Sequence, residues 1–282
     1  MTETLSVKLH RLRVILRELR SVAVAFSGGV DSAFVLKAAV DTLGPDRVVA
    51  VTGDSPSLAR SELQQARSLA ERIGVEHVVL ATDEIHDPDY AANPADRCYH
   101  CKTILYTHME RFIEERGIAV IINGTNADDL GDYRPGLRAA GEHRVRAPIA
   151  EAGLSKAEVR ELSRRMGLPT FDKPAAPCLS SRVPYGEPIT PEKLRMIEAG
   201  EAFLRETLGL RICRVRHHGA MARIEVPVED LAVLVEPAAA ARVDAHFRSL
   251  GFRYVTVDLR GFRSGSLNEV IPVERLRSGI RA

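Results

Sequence analysis

Residues 23–32 read AVAFSGGVDS. An apolar run stops at Ser27, two glycines follow, and an acid and a hydroxyl arrive as Asp31 and Ser32. The run reads as a strand over 22–26. The residues beyond the glycines read as a helix over roughly 31–43, closed by Gly44-Pro45. A turn of this kind has a physical use. Glycines lack Cβ, so the backbone can curl and present several N–H groups to one anion. The helix that follows adds the positive end of its dipole. Asp31 suits a Mg2+ ion held against phosphate oxygens, and Ser27 and Ser32 supply hydroxyls. The turn has neither the Gly-Lys-Ser/Thr of a Walker loop nor the G-x-G-x-x-G of dinucleotide folds.

Working outward, leucines 5, 9, 12, 16 and 19 fall at helical spacing ahead of this strand. After it, strands are expected at 47–53 and 75–81, with a helix of about 57–73 between them that Gly74 closes. Segment 83–97 is polar, contains Pro88 and Pro94, and reads as a loop. A helix at about 99–116 leads through Gly117 to IAVIINGTN at 118–126, read as a buried strand. Strands alternating with helices predict an α/β fold with a parallel sheet covered on both faces. Ligands of such sheets bind beyond the carboxyl ends of the strands, so Ser27, Thr52 and Gly124-Thr125-Asn126 are expected near one crevice.

Composition changes at 168–191, LPTFDKPAAPCLSSRVPYGEPITP, a proline-rich stretch read as an irregular linker or active-site loop. Beyond it the pattern predicts a helix (191–208), strands at 211–217 and 221–226, a helix near 237–250 and a strand at 252–260. The expected organisation is a nucleotide-binding domain over 1–168, the loop over 169–190, and a small α+β domain over 191–282 for substrate binding and oligomerisation. Arg214 and Arg216 are two apart on a strand and share a face, as do Arg223 and Glu225 on the next. Paired guanidiniums suit a phosphate monoester. Cys178 lies in the proline-rich loop with Arg182 close by in sequence, and a cationic neighbour favours the thiolate.

Bulk properties bound the function. The chain has 282 residues, 45% of them hydrophobic, and a net charge of +1. That gives no global electrostatic case for nucleic acid or an acidic membrane. The charged N-terminus is unlike a signal peptide and no apolar run approaches a membrane span, so a cytoplasmic protein is expected. Four cysteines, two of them as Cys98-x-x-Cys101, do not make a secreted disulfide framework at this length.

The string Ser27-Gly28-Gly29-x-Asp31-Ser32 resembles the signature of the PP-loop ATP pyrophosphatases. That resemblance implies cleavage of ATP between its α and β phosphates and adenylylation of a substrate oxygen, with Mg2+. It also makes NGTNADDLGDYRPG at 123–136 the segment closing over ATP, with Thr125, Asn126, Asp132 and Arg134 near the nucleotide. RCYHCK (97–102), PCLSSRVPYG (177–186), RVRHHGAMARIE (214–225) and FRYVTVDLRGFRSGSLNE (252–269) narrow it further. They resemble the LarE family, ATP-dependent sulfur transferases of nickel-pincer nucleotide synthesis, over nearly the whole chain. The resemblance implies a small-molecule pyridinium mononucleotide as substrate, Cys178 as sulfur donor, and a homo-oligomer, hexamer or trimer. It assigns Arg214 and Arg216, with Glu201 and Glu225, to substrate phosphate and a divalent metal. Cys98, Cys101 and Cys178 also match a three-cysteine set able to hold a [4Fe–4S] cluster. Sulfur therefore comes either from Cys178 itself or from a cysteine-bound cluster. Cys213, opposite in phase to the two arginines, reads as packing. A tRNA thiolase and an ammonia-using ligase of the same superfamily are the rival readings. The absence of Trp and the 5% aromatic content argue against the first, and the absence of a glutaminase domain against the second.

Overall fold

The computed structural model describes residues 4–131 and 135–263. Within them the chain forms two compact units, one of residues 4–84 and 96–176, the other of residues 85–95 and 177–263. In chain order the elements through 176 are α1 (Leu5–Leu19), β1 (Val22–Ala25), α2 (Val30–Leu43), β2 (Val48–Asp54), α3 (Arg60–Ile73), β3 (Glu76–Ala81), α4 (Pro88–Ala91), α5 (Arg97–Arg116), β4 (Val120–Ile122), α6 (Pro135–Glu142), α7 (Pro148–Glu151) and α8 (Lys156–Arg165). Then follow α9 (Pro191–Leu208), β5 (Arg214–His218), β6 (Met221–Glu225), α10 (Leu231–Val235), α11 (Pro237–Ser249) and β7 (Tyr254–Val257).

The first unit is built on a parallel sheet in the order β3-β2-β1-β4, as the α/β alternation predicts. Its strands are short valine-, isoleucine- and alanine-rich runs, and the period of two sends alternate residues to opposite faces. Val22, Val24, Val48 and Ala50 join α1, α2, α3 and α8 in one core, where Leu12, Leu16, Phe34 and Leu162 are buried. Ala23, Val49, Val51 and Ile121 join α5 and α6 in the other, around Tyr106 and Met109. Arg146 adds a parallel bridge to Ile122 at the outer side of β4.

Several parts of the chain differ from the sequence expectation: the strands expected at 211–217 and 252–260 run over Arg214–His218 and Tyr254–Val257, and two further segments differ for identifiable reasons. The apolar run at 118–126 supplies a strand of only Val120–Ile122. It stops because the Asn123 side chain accepts the Thr125 N–H at 3.0 Å and turns the backbone. Segment 83–97 is not wholly loop. Asp87 caps α4, accepting the N–H groups of Asp89 and Tyr90, and Pro88 takes the first helical position, where its missing N–H costs nothing.

The second unit has a three-stranded sheet, β5-β6-β7, antiparallel then parallel. Val215, Ala222 and Ile224 face a core with Leu204, Val243 and Phe247. The alternate positions carry Arg214, Arg216, Arg223 and Glu225, and register sets Arg216 opposite Arg223 and Arg214 opposite Glu225. One face is therefore apolar and the other is an array of charge. Among the described residues no helix is long and apolar enough to cross a membrane.

The start of α2 is crowded by the strand-end glycine of the β4 segment. A Cβ on Gly124 would stand 2.7 Å from the Ser32 nitrogen and 2.8 Å from the Asp31 carbonyl carbon, both backbone atoms. Gly124→Ala is therefore expected to destabilise the protein by about 1–3 kcal/mol and to weaken nucleotide binding. Urea denaturation together with nucleotide titration checks this; wild-type values in both would refute the crowding.

Candidate active site

The turn quoted at the outset has the geometry its glycines imply. Gly28 is in the left-handed region (φ +68°), and a Cβ there would meet the backbone of Ala66 on α3 at 3.2 Å. Ser27 and Ser32 tie the turn: their hydroxyls lie 3.1 Å apart, the Ser27 N–H donates to Ser32 Oγ, and Ser32 Oγ donates to the Gly29 carbonyl. Gly29 is the N-cap of α2, its N–H donating to Ser27 Oγ at 3.4 Å, and no side chain caps the helix's own first amides, which carry the positive end of the dipole. They border a cavity of about 470 Å³ wholly within the first unit. Its size is that of an ordinary small-ligand site.

Other elements deliver charge to the same cavity. Ser155 and Glu158 form a reciprocal capping box at the start of α8, and the Lys156 N–H donates to Asp128 at 2.8 Å. Lys156, thus placed at the head of α8, reaches across to pair with the Asp31 carboxylate. Asn126 Nδ2 donates to the other Asp31 oxygen at 3.3 Å. Lys173 pairs with Glu62 of α3 at 2.7 Å and donates to the Gly28 carbonyl at 3.3 Å. Arg160 holds the Lys173 segment by donating to the carbonyls of Phe171 and Lys173. Asp128 and Asp129 complete the charged lining. Hard carboxylate oxygens of this kind suit Mg2+, and the two lysines suit phosphate.

Among the nucleotide residues expected from sequence, Ser27, Gly29, Asp31 and Asn126 line this cavity. Gly28 and Ser32 shape the turn behind it, and Gly124 gives clearance. Thr125 turns the strand end, its carbonyl accepting the Ala150 N–H. Thr52 stands apart: it is buried, its hydroxyl donates to the Phe26 carbonyl at 2.7 Å and so accepts from His77 Nε2 at 2.8 Å, fixing two strand ends together. Asp132 and Arg134 lie outside the described residues. Sequence reasoning missed Glu62, Lys156, Arg160 and Lys173. The Ser155-x-x-Glu158 spacing is a local signal that marks a helix start at Lys156; no local signal joins Lys173 to Glu62.

The second unit holds the thiol and the arginines. Cys178 is half-buried at the head of a single turn of 3-10 helix, Leu179–Arg182. Arg182 uses its whole fork: Nε and Nη2 donate to the Glu201 carboxylate at 2.8 and 3.1 Å, and Nη1 to the carbonyls of Pro177 and Cys178 and to Ser181 Oγ. Arg182 thus grips the Cys178 backbone. Glu201 is buried, and burial would raise its pKa, but Arg182, then Arg214 and Arg205, hold it below the ordinary carboxylate value. Glu225, also buried, takes Arg216 at 2.7 Å and Arg223 at 3.0 Å. Arg216 also donates to the Ser181 carbonyl. Burial, reinforced by Arg182, lowers the Arg214 pKa to about 10, so it stays charged at neutral pH. Burial and Glu201 push the Cys213 thiol up to about 11, as a packing cysteine requires.

The two glutamates read as metal ligands are each engaged by arginines. Among the described residues no group of three or more His, Cys, Asp or Glu side chains is arranged to hold a metal ion. Cys98 and Cys101 sit on the first turns of α5 in the parallel-sheet unit, exposed and half-buried, and no disulfide joins any of the four cysteines.

A parallel sheet whose first strand ends in Ser-Gly-Gly against an uncapped helix, with acids and lysines gathered there, defines a PP-loop ATP pyrophosphatase. In agreement, a family model described as NAD synthase matches residues 6–93. The chain is 46% identical over 267 residues to an uncharacterised protein of Synechocystis, covering 95% of this chain and 99% of the relative. It is 39% identical over 276 residues to the pyridinium-3,5-bisthiocarboxylic acid mononucleotide synthase of Lactiplantibacillus plantarum, covering 97% and 98%. A tRNA-specific 2-thiouridylase of Azorhizobium caulinodans is 30% identical over 240 residues, 71% of this chain but 60% of that protein. The chain belongs to the LarE family, that of the pyridinium-3,5-bisthiocarboxylic acid mononucleotide synthase.

Replacing Lys156 by Gln keeps the length near but removes the charge facing Asp31. The variant is expected to bind MgATP about tenfold more weakly, ~1.4 kcal/mol, by titration calorimetry; wild-type affinity would exclude Lys156 from the phosphate site. The histidines give a pH prediction. Burial lowers the pKa of His77, His217 and His218 below 6.5. The unfolded chain then binds more protons below that value, so stability is full above it and falls as the solution is acidified. The melting midpoint should drop between about pH 7.5 and about pH 5.5; a flat or rising midpoint would contradict the burial of neutral rings.

Proposed function

We propose that this protein is an ATP-dependent sulfurtransferase of nickel-pincer nucleotide synthesis. It adenylylates the carboxylates of pyridinium-3,5-biscarboxylic acid mononucleotide and converts them to thiocarboxylates. The observation that carries this is the charged cavity at the uncapped start of α2, in a chain aligned along 97% of its length with the L. plantarum synthase. ATP lies with its phosphates at the uncapped first amides of α2, just beyond the Ser27-Gly28-Gly29 turn, and Lys156 and Lys173 leave their carboxylates for phosphate oxygens. Asp31, released from Lys156, would hold Mg2+, which when bound would offset charge on the phosphates. A substrate carboxylate oxygen attacks the α-phosphorus, the bond to the β-phosphate breaks, and pyrophosphate departs.

The Cys178 thiolate then attacks the acyl carbon and AMP leaves, giving a thioester. Loss of the cysteine α-proton to a base and cleavage of its Cβ–S bond release the thiocarboxylate and leave dehydroalanine. Two carboxylates require two ATP and two thiols. Arg214 and Arg216 are the candidates for the mononucleotide phosphate; with Arg223 they outnumber Glu225 on this sheet face, an excess of positive charge that suits an anion. The enzyme acts in the cytoplasm as a homo-oligomer. A tRNA substrate is disfavoured, since the net charge is +1 and no Trp is available for base stacking.

Cys178→Ala is expected to abolish thiocarboxylate formation and to retain measurable pyrophosphate release. Intact mass spectrometry after turnover should show the wild-type Cys178 peptide lighter by the mass of one hydrogen sulfide. An unmodified peptide, or sulfur transfer by the alanine variant, would refute Cys178 as the consumed donor; iron bound to the protein would then favour a cluster on Cys98, Cys101 and Cys178.

A further inference from the structure

Residues 178–189 make almost no regular structure of their own, only the 3-10 turn Leu179–Arg182. Their shape comes from a segment far upstream. Residues 85–95 belong to the second unit with 177–263, although the chain on both sides of them, 4–84 and 96–176, builds the parallel-sheet unit. At the end of α4, Asn93 has a left-handed backbone (φ 55°) and is 0% exposed. Such a backbone costs a non-glycine residue about 1 kcal/mol or more, so the surroundings must over-determine it.

They do so through hydrogen bonds. Asn93 Nδ2 donates to the carbonyls of Pro184 at 2.7 Å, Glu187 at 3.0 Å and Val183 at 3.3 Å. Two amide hydrogens thus serve three carbonyls. The Asn93 carbonyl accepts the Gly186 N–H at 2.9 Å, and the Ala91 carbonyl accepts the Ile189 N–H at 2.8 Å. One helical turn earlier, Tyr90 is 1% exposed and its hydroxyl meets the Ser180 hydroxyl, also fully buried, at 2.6 Å. Buried polar groups satisfied in this way fix one arrangement, because any other leaves them unpaired. Two grips therefore act on Cys178 and the chain just after it. Arg182 and Ser181 hold its carbonyl, and Tyr90 and Asn93 hold the chain that follows it.

We propose that Tyr90 and Asn93 are positioning residues for the Cys178 thiol, setting the rate of sulfur transfer while having no part in adenylylation. The proposal rests on Cys178 being the sulfur donor. Neither residue lines the nucleotide cavity. A thiolate attacking an acyl carbon needs its approach fixed to within fractions of an ångström, so a loosened loop slows that step alone.

The test compares wild-type, Tyr90→Phe and Asn93→Asp full-length protein with ATP and the biscarboxylic mononucleotide. Three quantities are read: pyrophosphate release, thiocarboxylate formed per adenylate, and the iodoacetamide alkylation rate of Cys178 by peptide mass spectrometry. Tyr90→Phe removes one hydroxyl and nothing else. It should lower sulfur transfer about tenfold while pyrophosphate release stays within about twofold, and it should change the alkylation rate severalfold. Asn93→Asp, which aims a carboxylate at three carbonyls, should show the same split more strongly. If it fails to fold, Tyr90→Phe decides alone. Unchanged transfer and alkylation, or an equal fall in both half-reactions, would overturn the proposal. Cys178→Ala is run alongside; if it still transfers sulfur, the donor assignment falls, and the positioning role with it.

Discussion

The amides at the start of α2 are the constraint on which the rest depends. They have no side-chain cap, so the fold leaves the positive end of a buried helix facing a cavity. Everything near that end is arranged to permit it. Gly28 lets the backbone reverse against α3, and Gly124 passes the helix start where no Cβ fits. Ser27 and Ser32 lock the turn from within. The opposing charges around the cavity satisfy one another, Lys156 on Asp31 and Lys173 on Glu62. The proposed occupant, a triphosphate with its metal, would replace these pairings, supplying anion to the lysines and cation to the acids at once.

The second unit solves a different problem. Its sheet buries one face against α9 and α11, and the other carries more arginine than glutamate. Buried carboxylates such as Glu201 and Glu225 would be costly alone. Each is bound by two guanidiniums, and Glu201 also accepts the Val215 N–H at 3.2 Å. These acids therefore fix the arginines as a rigid array. The same device anchors the cysteine, because the guanidinium on Glu201 also holds the Cys178 carbonyl. On the proposed function, activation of the carboxylate and delivery of sulfur would fall to two separately built surfaces.

Much of the parallel sheet is readable because its strands are short apolar runs bounded by glycines, a signal local in sequence. The helix after Ser27-Gly28-Gly29 is readable for the same reason. The extent of β4 is not, since apolar composition alone does not reveal the Asn123 side chain that ends it. Nor is the helix within 83–97, because two prolines mask a start that Asp87 caps. Glu62 and Lys173 meet across 111 positions, and Asn93 meets Pro184 across 91. Such pairs depend on tertiary folding, and no window along the chain contains both partners. Thr52 shows the converse error: a polar residue at a strand end can be spent inside the fold, here on Phe26 and His77.

The most direct measurement is exchange of radiolabelled pyrophosphate into ATP, with and without the biscarboxylic mononucleotide. Adenylylation at the α2 amides predicts exchange that requires this substrate and is lost when Asp31 is replaced by Asn. Hydrolysis to ADP and phosphate, with no exchange under any condition, would contradict the account.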